Sequence, residues 1–342
     1  MSYEYERVAT PSSGLRLHLN ENTAGCSPAV MEALGRLTAR GLAEYPDYDA
    51  AIAATATRLK VRPDSLLLTN GLDEGILAAS IVALRNQGTA EAIVVVPAFD
   101  MYAACTDALG GTVVPIPLDA DFGFPVDRLL AAITPRTRVV WLTHPNNPTG
   151  QSIPRDAIAR IAAAATGSLI FVDEAYVDFG GTTLLGDPIL REYPRIVVGR
   201  TFAKAYGLAG LRAGALLGSP DVIASLTRVT PPYSLNACAA AALPAAFADN
   251  EYYDWYLGQV ERSKAVLYEG LRRLGVAHWQ SDANFVLARF EGRGTQVARD
   301  LAARGIHVRD RSRDHGCDDC LRITAGVVEH TREFLTALEA IL

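Results

Sequence analysis

The amino-acid sequence predicts an α/β protein: a large domain built on a mostly parallel sheet, with a small α+β domain beside it. Three observations predict it. Short apolar runs without polar alternation recur between helical patterns, as in strands covered on both faces. The rhythm changes over the last hundred residues. A chain of 342 residues also exceeds what one hydrophobic core usually organises.

The strand-like runs are residues 66–69, 92–96, 139–143, 169–172 and 195–198, each β-branched or Leu-rich. Helical patterns such as 73–85 and 154–165 lie between them. Strands alternating with helices over about 45–240 indicate parallel pairing. A long helical stretch then covers 250–274. It is followed by a strand at 284–288, a helix near 294–304, strands near 305–309 and 321–324, and a closing helix from Glu329. The expected division is 40–245 for the large domain, with 1–39 and 246–342 forming the small one.

Composition narrows the functions. The chain is 49% hydrophobic and 20% charged, ordinary for a globular protein, and its net charge is -6. Nucleic acid is not expected as a partner, because phosphate-backbone binding needs a basic surface. Residues 1–14 are polar and acidic and lack the apolar centre of a signal peptide. The most apolar tract, 235–248, is too short to cross a bilayer. A cytoplasmic protein without membrane contact is expected. Five scattered cysteines suggest reduced thiols. Cys317-x-x-Cys320, with His315 nearby, lacks the second ligand pair that zinc usually needs, so no metal site is expected.

Four strand ends and two arginines carry the candidate chemistry. Lys204 follows an apolar strand, in a segment with glycines at 207, 210 and 214 that allow close backbone approach. Its amine, partly desolvated there, could form an imine with a carbonyl. Arg212 is placed to pair with a phosphate. Equally, this could be a solvated lysine beside a glycine-rich turn. Asp173 ends another apolar run, where ligands collect in open α/β sheets. It either caps a turn or faces a ring nitrogen and keeps it protonated. Opposite charges about 4 Å apart interact by roughly 4 kcal/mol at an effective dielectric near 20. Tyr176, three residues on, could offer its hydroxyl to the same ring.

The loop His144-Pro145-Asn146-Asn147-Pro148-Thr149-Gly150 ends a third run, and a buried Asn amide there needs a partner. At Thr69-Asn70-Gly71-Leu72-Asp73-Glu74-Gly75 a strand turns at glycine into a helix, whose first N–H groups suit an anion. Arg309 and Arg322 stand in strands of the small domain. Each could hold a carboxylate in two-point fashion or simply form a surface ion pair.

These segments, in order with Leu19-Asn20-Glu21-Asn22, Tyr45-Pro46 and Pro97-Ala98-Phe99-Asp100-Met101-Tyr102, resemble class I/II aminotransferases, most closely the histidinol-phosphate aminotransferase family. The resemblance runs from about Leu17 to the C-terminus. It implies fold type I of the pyridoxal-phosphate (PLP) enzymes, with an amino donor and a 2-oxo acid acceptor as small-molecule partners. It also implies that Lys204 is the Schiff-base lysine and proton carrier, and that Asp173 partners the pyridine nitrogen. Asn147 and Tyr176 become ligands of the ring oxygen. Gly71, Leu72, Asp73, Thr201 and Arg212 become the phosphate cup, and Phe99 the ring stacked on the cofactor. Tyr45 would reach the partner's phosphate in a homodimer. Arg322, Arg309 and Asn20 are assigned to substrate.

Three departures bear on the substrate. Ala203 stands where the family usually has Ser. Tyr3 and Tyr5 are poor substitutes for a tyrosine-containing N-terminal stretch. Thr23-Ala24-Gly25-Cys26 replaces a Pro-rich continuation. Other PLP chemistry therefore stays open: decarboxylation of a phosphorylated amino acid, amino-acid oxidation, or transamination of an aromatic or specialised amino acid. So does a non-enzymatic PLP-binding module, which usually comes with a DNA-binding extension.

Overall fold

The computed structural model describes residues 11–342. Tyr3 and Tyr5 lie outside the described residues. Seven strands form the large sheet: β2 (Leu66–Asn70), β3 (Glu91–Val96), β4 (Thr112–Pro117), β5 (Thr137–Thr143), β6 (Leu169–Asp173), β7 (Ile196–Thr201) and β8 (Ala213–Gly218). Their order is β2-β8-β7-β6-β5-β3-β4. From β4 to β7 every neighbouring pair is parallel, whereas β8 runs antiparallel to both β7 and β2.

Every residue of β6 and β7 is buried, which accounts for their unbroken apolar reading. The helix Gly71–Leu84 packs Ile76 and Ala79 on one face with Trp141 and Phe171. Helices Arg155–Ala164 and Ala237–Ala248 cover the other with Ile158, Ile161 and Leu243.

Two strands of this large sheet were not among the sequence expectations. β4 carries Pro115 and Pro117 and is an edge strand, where a missing N–H is tolerated. β8 begins with small residues, Ala213-Gly214-Ala215, where it passes close to another backbone. A Cβ on Gly214 would stand 2.8 Å from the Leu72 nitrogen.

The second sheet has the order β1-β11-β12-β10-β9, with β1 (Leu15–Leu17), β9 (Ala277–His278), β10 (Phe285–Arg289), β11 (Ile306–Asp310) and β12 (Cys320–Thr324). One face buries Leu17, Ile306, Leu321 and Ile323 against Leu267, Leu271, Val297 and Phe334 of the flanking helices. The long helix Asn250–Arg273 serves both cores: Tyr253 and Leu257 pack toward the large sheet, Leu267 and Leu271 toward the small one.

The expected division at residue 39 is not where the packing changes. β1 joins the small sheet, but the helix Pro28–Gly35 packs on Ala237–Ala248, and its Val30 is fully buried in the large-sheet core. An apolar side chain follows the nearest core, so the N-terminal segment is split between the two sheets. No helix of the described residues is long and apolar enough to cross a membrane. Cys317 and Cys320 are free thiols buried beside Phe122 and Leu287.

Candidate active site

Parallel strands end together. The C-terminal ends of β3, β5, β6 and β7 share one edge of the large sheet. β2 ends there too, since it and β7 both run opposite to β8, and β8 starts there. A cavity of about 460 Å³ opens at this edge. Leu72 and Asp73 enter it from the helix start after β2, and Phe99 from the turn after β3. Asn147 follows β5, Asp173 ends β6 with Tyr176 just beyond, Thr201 ends β7, and Lys204 and Arg212 come from the connection to β8. The small sheet closes the far wall with Arg309 on β11 and Arg322 on β12. A larger cleft of about 650 Å³ adjoins past Arg16 and Glu21, but neither Lys204 nor Asp173 lines it.

Lys204 is half-buried. Its Nζ donates to the Leu19 carbonyl at 2.9 Å and lies 5.9 Å from the centre of the Tyr176 ring. Asp173 is buried. Its Oδ2 accepts from the Tyr102 hydroxyl at 2.6 Å and its Oδ1 from the Ala175 N–H at 2.9 Å. Thr143 in turn donates to the Tyr102 oxygen at 3.0 Å. Burial pushes the Asp173 carboxyl up to about 6 despite these two donors. Among the described residues no cation pairs with it. A buried carboxylate that faces a cavity without a cation fits a protonated ring nitrogen.

At the opposite end the walls fit a phosphate. Gly71 has φ +76°, and a Cβ there would stand 2.5 Å from Nη2 of Arg212. Only bare backbone lets the guanidinium lie across the helix start, where free N–H groups and the helix dipole favour an anion. Arg212 Nη2 donates to Asp73 Oδ2 at 2.7 Å. Thr201 stands beside them. PLP fits this arrangement: its ring nitrogen against Asp173, its phosphate at the helix start with Thr201 and Arg212.

Arg322 is 6% exposed. Its Nη1 donates to Asn147 Oδ1 at 2.5 Å and its Nη2 to the His18 carbonyl at 2.7 Å, while its Nε has no partner. Burial, with Arg311 and Arg309 nearby, lowers its pKa to about 10.

Three expected residues do not themselves line the cavity. Asn20 is fully buried and does not line the cavity. Its Nδ2 donates to the Tyr176 hydroxyl at 3.1 Å, and its Oδ1 accepts from Thr324 at 3.2 Å. These bonds leave it holding Tyr176 from behind, so its expected contact with substrate is corrected to a positioning one. Gly71 acts by what it lacks, as the missing Cβ shows. Tyr45 is 79% exposed and stacks on Tyr233, with ring centres 4.3 Å apart, away from the cavity of its own chain.

Sequence reasoning missed others. Tyr102 lay in a quoted motif without a role. Arg200 is buried between Glu174 (3.3 Å) and Asp178 (2.6 Å), and so braces the ends of β6 and β7 together. Arg16 and Arg311 also line the cavity. Their signal was the alternation Leu15-Arg16-Leu17-His18 and Ile306-His307-Val308-Arg309-Asp310-Arg311, which puts every second side chain on one sheet face.

A family model described as aminotransferase class I and II matches residues 12–338. Histidinol-phosphate aminotransferase 2 of Ralstonia nicotianae is 35% identical over 337 residues, covering 96% of this chain and 88% of that protein. Histidinol-phosphate aminotransferase 2 of Nitrosospira multiformis is 32% identical over 329 residues, covering 95% and 83%. Among solved structures, the histidinol-phosphate aminotransferase of Clostridium acetobutylicum aligns with a TM-score of 0.86 at 23% identity, covering 96% of this chain and 98% of that one. The Sinorhizobium meliloti enzyme in complex with pyridoxal-5'-phosphate aligns at 0.84 and 24%, covering 96% and 92%. At these identities the structures speak for the fold. The near-complete family match and the sequence relatives place this chain in the class I and II aminotransferase family, whose reaction is PLP-dependent transamination.

Proposed function

We propose that Lys204 is the residue to which the cofactor attaches and the group that carries the proton in transamination between an amino donor and a 2-oxo acid. The reading rests on one observation: the Lys204 amine, the Asp173 carboxylate, Asn147, Tyr176 and the Arg322 guanidinium all line a single cavity. When bound, PLP supplies a ring that accepts electrons from the substrate carbon. Asp173 keeps a proton on the ring nitrogen. Asn147 and Tyr176 hold the ring oxygen, and Phe99 covers a ring face. Backbone N–H groups of Leu72 and Asp73, with Thr201 and Arg212, hold the phosphate. Arg322, with Arg309, anchors the donor's carboxylate or phosphate so that its α-carbon stands within reach of the Lys204 amine.

Histidinol phosphate is the first donor to test, because the sequence relatives are named for it. A homodimer is part of the reading. Tyr45, exposed beside the half-exposed Tyr233, would reach the partner's cofactor phosphate, and exposed aromatic pairs favour such interfaces. We place the enzyme in the cytoplasm, where its five free cysteines stay reduced.

Borohydride reduction of the holoenzyme followed by peptide mapping should find the cofactor on Lys204. Lys204→Ala should abolish that label and lower turnover by at least about a hundredfold, the usual worth of a proton-transfer group. A label on another lysine, or a retained label in Lys204→Ala, would refute the assignment. Product analysis with 2-oxoglutarate separates transamination, which consumes the acceptor, from decarboxylation, which releases carbon dioxide.

A further inference from the structure

Cys317-x-x-Cys320 takes no part in the site described above, yet the fold treats this pair unlike the other buried thiol, Cys105. The pair lies between β11 and β12, in a connection made of three consecutive turns. The Asp314 N–H donates to the Arg311 carbonyl at 2.9 Å, the Cys317 N–H to Asp314 at 3.0 Å and the Cys320 N–H to Cys317 at 2.9 Å. The Arg311 N–H closes the ring on the Cys320 carbonyl at 2.9 Å. The last turn, with Asp319 at φ +57°, holds the Cys317 and Cys320 Cα atoms within about 7 Å of each other. A disulfide spans roughly 4–7 Å between such atoms. Both side chains are buried in one apolar cluster with Phe122 and Leu287, and their thiols share a hydrogen bond.

Two further observations separate the pair from plain packing. The first is a cation. Arg289 of β10 donates from Nη2 to the Gly316 carbonyl at 2.8 Å and lies over Trp279, 5.2 Å from its ring centre. Its Nε is buried without a hydrogen-bond partner, and its guanidinium stands beside the Cys320 sulfur. A thiolate would meet that charge. The bond from Cys317, with this cation, lowers the Cys320 pKa, while the same bond and burial raise that of Cys317. At Cys105, by contrast, burial pushes the thiol up to about 11. The second is access. A cavity of about 230 Å³, lined by Arg289, Gly316, Trp279 and Phe122, reaches the residue before Cys317. It has room for an oxidant little larger than water.

We infer that Cys317 and Cys320 are a reversible oxidation site, closed to a disulfide by hydrogen peroxide with Cys320 as the attacking sulfur, and that closure acts on the substrate wall of the active-site cavity through Arg311. The Cys320 thiolate attacks one peroxide oxygen. An S–O bond forms, the O–O bond breaks, and the other oxygen leaves as water with the proton that Cys320 gave up. The Cys317 sulfur then attacks the Cys320 sulfur. The S–S bond forms, the S–O bond breaks, and a second water leaves with the Cys317 proton. The two thiols lose two electrons and two protons, and a dithiol reductant restores them. Joining the sulfurs draws the turn together. The ring of backbone bonds passes that movement to Arg311, which lines the cavity, and to β12, which carries Arg322. This last effect rests on the proposed seating of substrate at Arg322; the disulfide does not.

Peptide mapping of peroxide-treated holoenzyme tests it. The peptide with Cys317 and Cys320 should lose the mass of two hydrogen atoms, and dithiothreitol should restore it. In Cys317→Ala, dimedone should trap a sulfenic acid on Cys320. In Cys320→Ala, at least tenfold less adduct should form on Cys317. Arg289→Gln should slow disulfide formation at least tenfold, and Arg289→Lys should recover part of the rate. Oxidised enzyme should show a KM for 2-oxoglutarate raised at least threefold, with kcat within twofold, and Cys317→Ala should show no such response. Complete oxidation of the half-buried Cys26 and Cys238 with Cys317 and Cys320 still reduced, or an adduct mainly on Cys317, would overturn the oxidation site. An unchanged KM with the disulfide complete would overturn its effect on the cavity. Loss of the Lys204 label would instead fault the attachment site, because the mapping does not depend on it.

Discussion

The large sheet lines the cavity with an edge; the small sheet lines it with a face. At the edge each strand contributes one end, and successive ends carry different chemistry: Asp173 from β6, Thr201 from β7, Asn147 past β5, a helix start past β2. On the face, alternation within strands repeats one chemistry, so arginines stand side by side. An edge suits a fixed cofactor whose parts each need a different partner. A face of like charges suits a substrate recognised by its anionic groups. Among the described residues the edge carries a buried carboxylate without a paired cation, and the face gathers Arg16, Arg309, Arg311 and Arg322.

Three experiments would break or sharpen this contrast. The largest effect concerns Asp173 in cofactor-free protein. Its folded pKa, about 6, lies above the ordinary 3.8. A raised folded pKa means the folded state favours the proton, so that stability is fully present below the unfolded pKa and is lost as pH rises through 6. Two pH units correspond to about 3 kcal/mol. Asp173→Asn should therefore be the more stable protein at pH 8, by up to that amount, and nearly equal to wild type at pH 4. A denaturant-midpoint difference that does not vary with pH would remove the picture of an anion waiting for a cation.

The second experiment exchanges the two arginine roles. Arg212→Gln should weaken cofactor affinity by roughly tenfold to a hundredfold, the worth of a charge-assisted pair, and leave donor KM within about threefold. Arg322→Gln should do the reverse. If both variants lose cofactor equally in an absorbance titration, edge and face do not divide the labour. The smallest effect is Tyr102→Phe. It removes one hydrogen bond, worth about 1 kcal/mol, that favours ionised Asp173. The acid limb of the pH–rate profile should move toward neutral by less than about one pH unit. No movement would mean that Tyr102 does not tune the edge.

Much of the edge was legible because each element of it is local. An apolar run, a turn and one polar residue are contiguous in sequence, and parallel strands bring such ends together. β4 and β8 escaped because prolines and glycines mask a strand whose position, at an edge or against another backbone, permits them. Asn20 was misplaced because its motif resembles a binding loop. Whether its amide faces the cavity or the back of Tyr176 depends on Thr324, 304 residues away.

The sequence alone determined the apolar runs, the glycine turns and the residues that stand at strand ends, and with them the fold class, because these follow from short-range sterics and hydrophobic burial. Tertiary structure decided which cations meet. Arg16 lies opposite His307 only through the pairing of β1 with β11, nearly three hundred residues apart, and Arg309 opposite Arg322 only through the register of β11 on β12. A slip of one residue would turn each of those side chains to the other face, and no local pattern encodes the register that the packing of the small sheet on its helices selects.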